Sequence, residues 1–282
     1  MKIRSLEHTD FDTLFRGFER AFSDYEIHFD KDEVRSMLLR RGYDPHLSFA
    51  AFDNGEIAAF TLNGIGQFNG IPTAYDTGTG TAPEYRGQGL AGEIFTHSLP
   101  FLRYAGIRQY LLEVLQTNQK AIAVYRRMKF EVTRELDCFR QTIDSIRTTI
   151  NVNADCRIGP IDVSSIKEAT SFRDFDPSWQ NSIESIVRGE SSLTCLGAFL
   201  DGELAAYCVF DPSTGDLTQI AVSPEHRRKG IASRLLHEAI PRFSTDFIKV
   251  LNVSADNSTL PSFLRSMNIT PAASQFEMIL PL

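Results

Sequence analysis

Apolar and polar positions along this chain switch between a two-residue and a three-to-four-residue period, and the switches mark its elements. Alternation over Lys2–Leu6 predicts a short strand. Phe11, Leu14, Phe15, Phe18 and Phe22 recur at helical spacing and predict an amphipathic helix from Asp10 to about Phe22. A second helix is expected over Asp32–Arg41, capped by Asp30 or Asp32. LSFAAF at Leu47–Phe52, the turn Asp53-Asn54-Gly55 and the run from Ile57 predict a hairpin. A strand at Thr73–Thr81 then leads into YRGQGLAG, Tyr85–Gly92, and a helix over Leu90–Leu102 that Pro100 should kink or shorten. Gln109–Gln116 is apolar enough for a buried strand. A helix beginning at Asn118 (NQKAIAVYRRMKF) and a strand over Glu131–Gln141 close the series.

After the polar stretch TTINVNAD the series restarts at Asp155, with helices predicted at Ser165–Phe172 and Trp179–Arg188. LGAFLDGELAAYCVF then repeats FAAFDNGEIAAF, setting Gly202 opposite Gly55 at an offset of 147. HRRKGIAS, His226–Ser233, lies between the strand-like Leu217–Val222 and the helix-like Ile231–Phe243 and repeats YRGQGLAG at an offset of 141, with Pro241 opposite Pro100. A third block, at 139, sets Asn257 opposite Asn118 and Met267 opposite Met128. Blocks in the same order at slowly falling offsets predict two homologous domains, residues 1–143 and 155–282. Within each, the order β-α-α-β-β-β-α-β-α-β predicts an α/β fold with a mixed sheet and helices on both faces.

The repeated turn carries the chemistry. Arg86, Gly89, Ala91 and Arg227, Gly230, Ala232 share one frame. A glycine there lets backbone approach a ligand, and the free N–H groups of the next helix's first turn, with the positive end of its dipole, suit a pyrophosphate. Composition narrows the partners. A net charge of −7 and a pI near 5.4 are the wrong sign for neutralising phosphate backbones, so nucleic acid is not expected; the charge solubilises the surface and slightly favours cationic substrates. No apolar run reaches the ~18 residues of a membrane span, and the polar start MKIRSLEHTD is no secretory signal, so a cytoplasmic protein is expected. Cys138, Cys156, Cys195 and Cys208 lack CxxC spacing and a histidine at ligand distance, which predicts reduced thiols, no disulfide framework and no metal.

Each half resembles a GNAT-superfamily N-acetyltransferase, whose signature Gln/Arg-x-x-Gly-x-Gly/Ala joins the fourth strand to the third helix. The resemblance implies two tandem acyl-CoA acyltransferase domains with acetyl-CoA as co-substrate. It implies that Arg86, Gly87, Gln88, Gly89, Leu90, Ala91 and Gly92 hold the pyrophosphate in the first domain, and Arg228, Lys229, Gly230, Ile231, Ala232 and Ser233 in the second. The ends of the fourth strands, Thr79, Gly80, Thr81 and Ile220, Ala221, Val222, would bind the pantetheine arm through backbone. LEVLQTNQKAIAVYRRMKF is similar to the family's fifth strand and fourth helix, which points to Glu113, Asn118 and Tyr125. Glu113 is the candidate base that takes a proton from the acceptor ammonium, and Tyr125 the candidate acid that protonates the leaving thiolate. Backbone N–H near Thr81 would hold the oxyanion, and Asn118 would touch the cofactor or cap its helix.

In the second domain the 139 offset sets Asn252 opposite Glu113 and Leu264 opposite Tyr125, so both proton carriers are missing there. Asp216 stands near the place where the histone-acetylating branch keeps a glutamate, or simply closes the turn Asp211–Gly215. The expected function is acetyl transfer to a primary amine by direct attack, catalysed by the first domain, with the second degenerate. A non-catalytic acyl-CoA-binding or sensing protein is the alternative. A dinucleotide dehydrogenase also satisfies Gly87-x-Gly89-x-x-Gly92, but HRRKGIAS keeps one of those glycines, and the turn follows a hairpin rather than the first strand of a βαβ unit. Phe22, Tyr25 and Phe29, with Asp24 and Glu26, are the candidate acceptor site or else a core-packing turn. Small amines, peptide N-termini, lysines and aminoglycosides stay open as acceptors. So does oligomeric state, since a duplicated chain can act as its own pseudo-dimer.

Overall fold

The computed structural model describes residues 1–25, 29–147 and 156–282, so Glu26 of the expected acceptor stretch and the TTINVNAD linker lie outside it. The first half of the chain runs β1 (Lys2–Ser5), α1 (Phe11–Ala21), α2 (Lys31–Arg41), β2 (Phe49–Asp53), β3 (Glu56–Phe68), β4 (Ile71–Thr81), α3 (Leu90–Tyr104), β5 (Gln109–Leu115), α4 (Gln119–Arg127) and β6 (Glu131–Thr142). The second half runs β7 (Arg157–Pro160), α5 (Val163–Glu168), α6 (Ile183–Arg188), β8 (Thr194–Leu200), β9 (Glu203–Asp211), β10 (Asp216–Val222), α7 (Ile231–Ala239), β11 (Phe247–Ser254), α8 (Thr259–Ser266) and β12 (Thr270–Pro281).

Local chemistry explains the boundaries. Asp10 caps α1 by accepting the Thr13 N–H at 2.9 Å. Asp30 and Glu33 form a reciprocal capping box on α2, which Gly42 ends in the left-handed conformation. Asn54 and Gly55, both at positive φ, turn the β2–β3 hairpin. Other expectations needed correcting. The α3 helix runs four residues beyond Pro100 instead of stopping there; Pro100 is exposed, so the missing N–H and the ring fall on the solvent side. Opposite it, Pro241 lies beyond the end of α7 in a short 3₁₀ turn. The helices expected at Ser165–Phe172 and Trp179–Arg188 are each broken into an α-helical and a 3₁₀ piece.

The chain forms two compact units, neither continuous in sequence. The first holds Met1–Glu113, Ala123–Glu131 and Met278–Leu282, and the second Val114–Ile122 and Val132–Glu277. In the first the sheet order is β1-β2-β3-β4-β5, and the Leu282 N–H donates to the Arg108 carbonyl at 2.8 Å. In the second it is β6-β11-β10-β9-β8-β7, with β12 up to Glu277 beside β6. The strand that closes the first sequence repeat thus pairs antiparallel with β11, Ile248 opposite Gln141. Period-two alternation specifies a strand but not its neighbour.

Both sheets are mixed and covered on two faces. In the first unit Leu14, Phe18, Val34 and Leu38 of α1 and α2 pack on Ile57, Phe60 and Leu62, while Leu90 and Ile94 of α3 pack on Phe49, Ala51 and Ala59. In the second, Val163, Ile166 and Ile186 of α5 and α6 cover Tyr207 and Val209, and Ile231, Leu235 and Leu264 of α7 and α8 cover the other face. The end of α2 comes so close to β3 that a Cβ on Gly64 would sit 2.1 Å from the Arg41 carbonyl oxygen. Gly64→Ala is therefore expected to destabilise the fold by about 3 kcal/mol, read as a drop in the urea midpoint.

Candidate active site

β4 pairs with β3 along its whole length, including Thr61↔Thr79, Phe60↔Gly80 and Ala59↔Thr81. Its parallel pairing with β5 runs only from Thr73↔Gln109 to Tyr75↔Leu111. Beyond that point one edge of β4 has no ladder partner among the described residues, which leaves the Thr79 backbone and the Thr81 N–H facing an open edge, Gly80 being paired with Phe60 of β3. Gly80 serves packing as well, since a Cβ there would come within 2.6 Å of Phe60 and 2.9 Å of Ala21.

The turn that follows is built by conformation rather than by lack of room. Gly87 and Gly89 take φ of 76° and 81°, yet a Cβ at either would meet nothing within 4 Å. Gly89 is the N-cap of α3 and has no side chain to satisfy the first-turn N–H groups. A groove lined by Thr81, Gly87, Ala91, Val124, Arg127 and Met128 opens there, and Gly92 lies against Met128. Arg86 is spent on the protein itself. Its guanidinium donates to the carbonyls of Thr81 (3.1 Å) and Ala21 (2.9 Å) and in a two-pronged pair to Asp24 (2.6 and 2.7 Å). The Asp24 carboxyl is held down to about 2 by that guanidinium. Gln88 leans back on the Glu84 carbonyl.

The second unit repeats the device. Arg227 donates to the carbonyls of Val222 and Phe172 and pairs with Asp174 at 2.8 Å. Gly230, at φ 82°, is an N-cap without a side-chain hydrogen bond. Where the first turn has Gly87, the second holds Arg228 in the left-handed region at φ 63°; the geometry is kept at the cost of backbone strain. Ala221, Val222, Arg228, Lys229, Ala232 and Ser233 line its groove.

At the opening between β4 and β5 the side chains sort by face. Pairing puts Tyr75, Leu111 and Glu113 on one face, and Ala74, Asp76 and Tyr110 on the other. Gly64 registers with Tyr75 and approaches α2, so the Glu113 face is the one that α1 and α2 cover. There the buried Tyr75 hydroxyl donates to Glu113 Oε2 at 2.9 Å. Burial, then the Glu113 charge, pushes the Tyr75 phenol far above its usual range.

Tyr125 belongs to the α3 face, where its ring packs on Phe130, which meets Tyr110 and Phe95. Burial, then the charges of Asp76 and Tyr25, raises the Tyr125 phenol, so it stays protonated at neutral pH. Asn118 lies in the stretch counted with the second unit and caps its helix, accepting the Ala121 N–H at 3.1 Å. Asp216 opens β10 and accepts from the Thr218 hydroxyl at 2.8 Å. Around the end of α1, Tyr25 is 55% and Phe29 41% exposed, with Tyr25 edge-on to Phe22.

The profile of the acetyltransferase (GNAT) family matches residues 11–130 and 162–266. The chain belongs to the GNAT acetyltransferase family. One curated relative is an acetyltransferase of Pectobacterium atrosepticum, 26% identical over 143 residues that make up 49% of this chain and 91% of that protein. Among solved structures, a GCN5-related N-acetyltransferase from Sphaerobacter thermophilus superposes with a TM-score of 0.73 at 14% identity, covering 99% of this chain and 95% of its own. A tandem GNAT protein from the clavulanic acid biosynthesis pathway gives 0.72 at 14%, covering 99% and 98%. At such identities these two likenesses speak for the fold alone: a mixed α/β architecture of GNAT type along the whole chain.

Two carboxylates near the turn and the strand opening have partners that a reading of the sequence does not give. Asp24, expected in the acceptor stretch, is held by Arg86, 62 residues away. Asp76 sits beside a bulge in β4, where the register with β3 slips between Leu62 and Asn63. Its carboxylate accepts from the Thr79 hydroxyl at 3.0 Å, and the Arg41 guanidinium holds the bulge by donating to the Thr77 carbonyl at 2.8 Å. Burial lifts the Asp76 carboxyl from 3.8 to about 6, against the Thr79 and Gly78 hydrogen bonds and Arg41. Such a group binds its proton more tightly folded than unfolded. Its contribution to stability is complete below about 4 and is lost as pH climbs through about 6. Asp76→Asn is therefore expected to match or exceed the wild-type melting temperature at pH 8, with the advantage shrinking below pH 5.

No helix among the described residues is long and apolar enough to cross a membrane. Cys138, Cys156 and Cys208 are buried and Cys195 half-buried, all as free thiols; burial lifts Cys208 to about 12 and Cys195 to about 11, which makes both poor nucleophiles.

Proposed function

We propose that the first repeat, residues 1–143, transfers the acetyl group of acetyl-CoA to a primary amine, and that the second, 155–282, does not turn over. The observation that carries this is the pair of groups flanking one strand opening: Glu113 on the α1–α2 face and Tyr125 on the α3 face. Acetyl-CoA would lie with its pyrophosphate at the uncapped start of α3 and its pantetheine along the open edge of β4.

The acceptor arrives as ammonium from the α1–α2 side, past Tyr25 and Phe22, and gives a proton to Glu113, directly or through a water. The freed amine attacks the thioester carbon, and a backbone N–H near Thr81 stabilises the oxyanion. As the tetrahedral adduct collapses, the C–S bond breaks, the Tyr125 hydroxyl gives its proton to the sulfur, and the nitrogen releases its extra proton to solvent, from which Tyr125 is reprotonated. The aromatic rim of Tyr25 and Phe22, with the Glu113 carboxylate at the opening, favours a cationic amine. Asn252 and Leu264, standing in the second repeat where the proton carriers should be, favour single-site chemistry. We place the reaction in the cytoplasm, in keeping with the four reduced thiols.

The test is thiol release from acetyl-CoA across a panel of small amines, peptide N-termini, lysine peptides and aminoglycosides, alongside calorimetric titration with acetyl-CoA. Turnover with at least one class is expected. Tight binding with no turnover on any class would give the chain to the sensing alternative.

A further inference from the structure

The two grooves differ most on the side where an acceptor must enter. In the first unit, position 78 is glycine, and a Cβ built there would meet only Phe18, at 3.9 Å. The 141 offset puts Gln219 at this place in the second unit, and Gln219 is 9% exposed. Register with β9 sets it on the same face as Tyr207 and Ala221, the face that α5 and α6 cover.

Its side chain is pinned at both ends. The Tyr207 hydroxyl donates to Gln219 Oε1 at 2.8 Å, and Gln219 Nε2 donates to the Asn181 carbonyl at 2.5 Å. Asn181 carries the bridge across, its Nδ2 donating to the Leu251 carbonyl of β11 at 2.7 Å. The parallel pairing of β10 with β11 is confined to Asp216↔Lys249, so the opening beyond it is crossed by these two amides rather than by a ladder, and they form part of the wall of a cavity that Asp174, Ala221, Leu251 and Leu260 also line. Asn252, the counterpart of Glu113, is 1% exposed and held by Gln275 and Ser178.

The opposite side stays accessible. The N-cap Gly230 carries no cap, Arg228 and Lys229 are exposed beside it, and the groove continues past Val222 to Leu260 and Phe263.

We propose that the second groove is a one-sided site, in which the phosphates and thiol arm of CoA can lie while the Gln219–Asn181 bridge bars an amine from reaching the sulfur end. The second repeat would then read CoA as a ligand and never as an acyl donor. This rests on the reading that the first turn takes acetyl-CoA. No bond is made or broken at the second site, so no proton acceptor is needed there, which fits the carboxamide at position 252.

The test uses the intact chain and two probes: free CoA, and CoA joined through its sulfur by a carbonylmethyl spacer to 1,4-diaminobutane, which spans both sides of an open site. Hydrogen exchange is read at the Ile231–Arg234 amides and, separately, at Leu90–Glu93. Free CoA is expected to slow exchange at both helix starts at least tenfold, and the conjugate to do so at Leu90–Glu93 with less than a twofold effect at Ile231–Arg234. Gln219→Gly is expected to restore conjugate protection at the second start; Gln219→Ala, which removes the amide at less backbone cost than glycine, is the check if the glycine variant folds poorly. Equal protection of the second start by both probes in the wild-type chain overturns the barrier. Protection by CoA at the first start alone overturns the second site while leaving the catalytic reading intact. No protection at either start overturns that catalytic reading itself.

Discussion

Glu113→Gln is expected to lower kcat/KM about a thousandfold for any acceptor that is ammonium at neutral pH, about 4 kcal/mol of transition-state stabilisation. Glutamine keeps the shape and can still accept the Tyr75 hydrogen bond, so folding and acetyl-CoA affinity should hold. The separating readout is the acceptor's own basicity. An amine with a pKa of ~6 is mostly neutral at pH 8 and asks for no proton removal, so for it the loss should shrink to about tenfold or less. A loss that is uniform across acceptors would move Glu113 from proton transfer to positioning.

Tyr125→Phe is expected to lower kcat about a hundredfold with little change in the dissociation constant for acetyl-CoA. The ring contact with Phe130, 5.6 Å between centroids, does not use the hydroxyl and should survive. The phenol is held protonated by burial and by the Asp76 charge, so the proton is present whenever the thiolate forms. If kcat stays within about threefold of wild type, Tyr125 is a packing residue and the thiolate leaves unprotonated.

What the sequence made legible was local. Caps at Asp10 and Asp30 and the left-handed glycines at 55, 89, 202 and 230 each act within a few residues, so the helices they start, the hairpins and both turns fall where expected, whereas α6 starts at Ile183 rather than at Trp179. The repeat made the two-fold plan of the chain visible. What escaped depends on distant partners. The frame arginine reads as a phosphate ligand, yet at both turns it finds a carboxylate on the connection after the first helix. Gln219 gives no signal until Asn181 and Tyr207 are seen beside it. The strand expected over Glu131–Gln141 is present and runs to Thr142, but alternation is blind to which edge that strand joins.

That membership makes the repeat boundary a poor place to divide the protein. A fragment ending at residue 147 would carry β6 without β11 to pair with and would lack Met278–Leu282, which the first unit includes. The complementary fragment from residue 156 would expose the β11 edge that β6 normally occupies. Each half should therefore collect in the insoluble fraction when made alone, with an open β-edge as the cause, and mixing the two during refolding should recover soluble protein. The boundary between the sequence repeats is thus no boundary of the fold, because the last strand of the first repeat completes the sheet of the second unit.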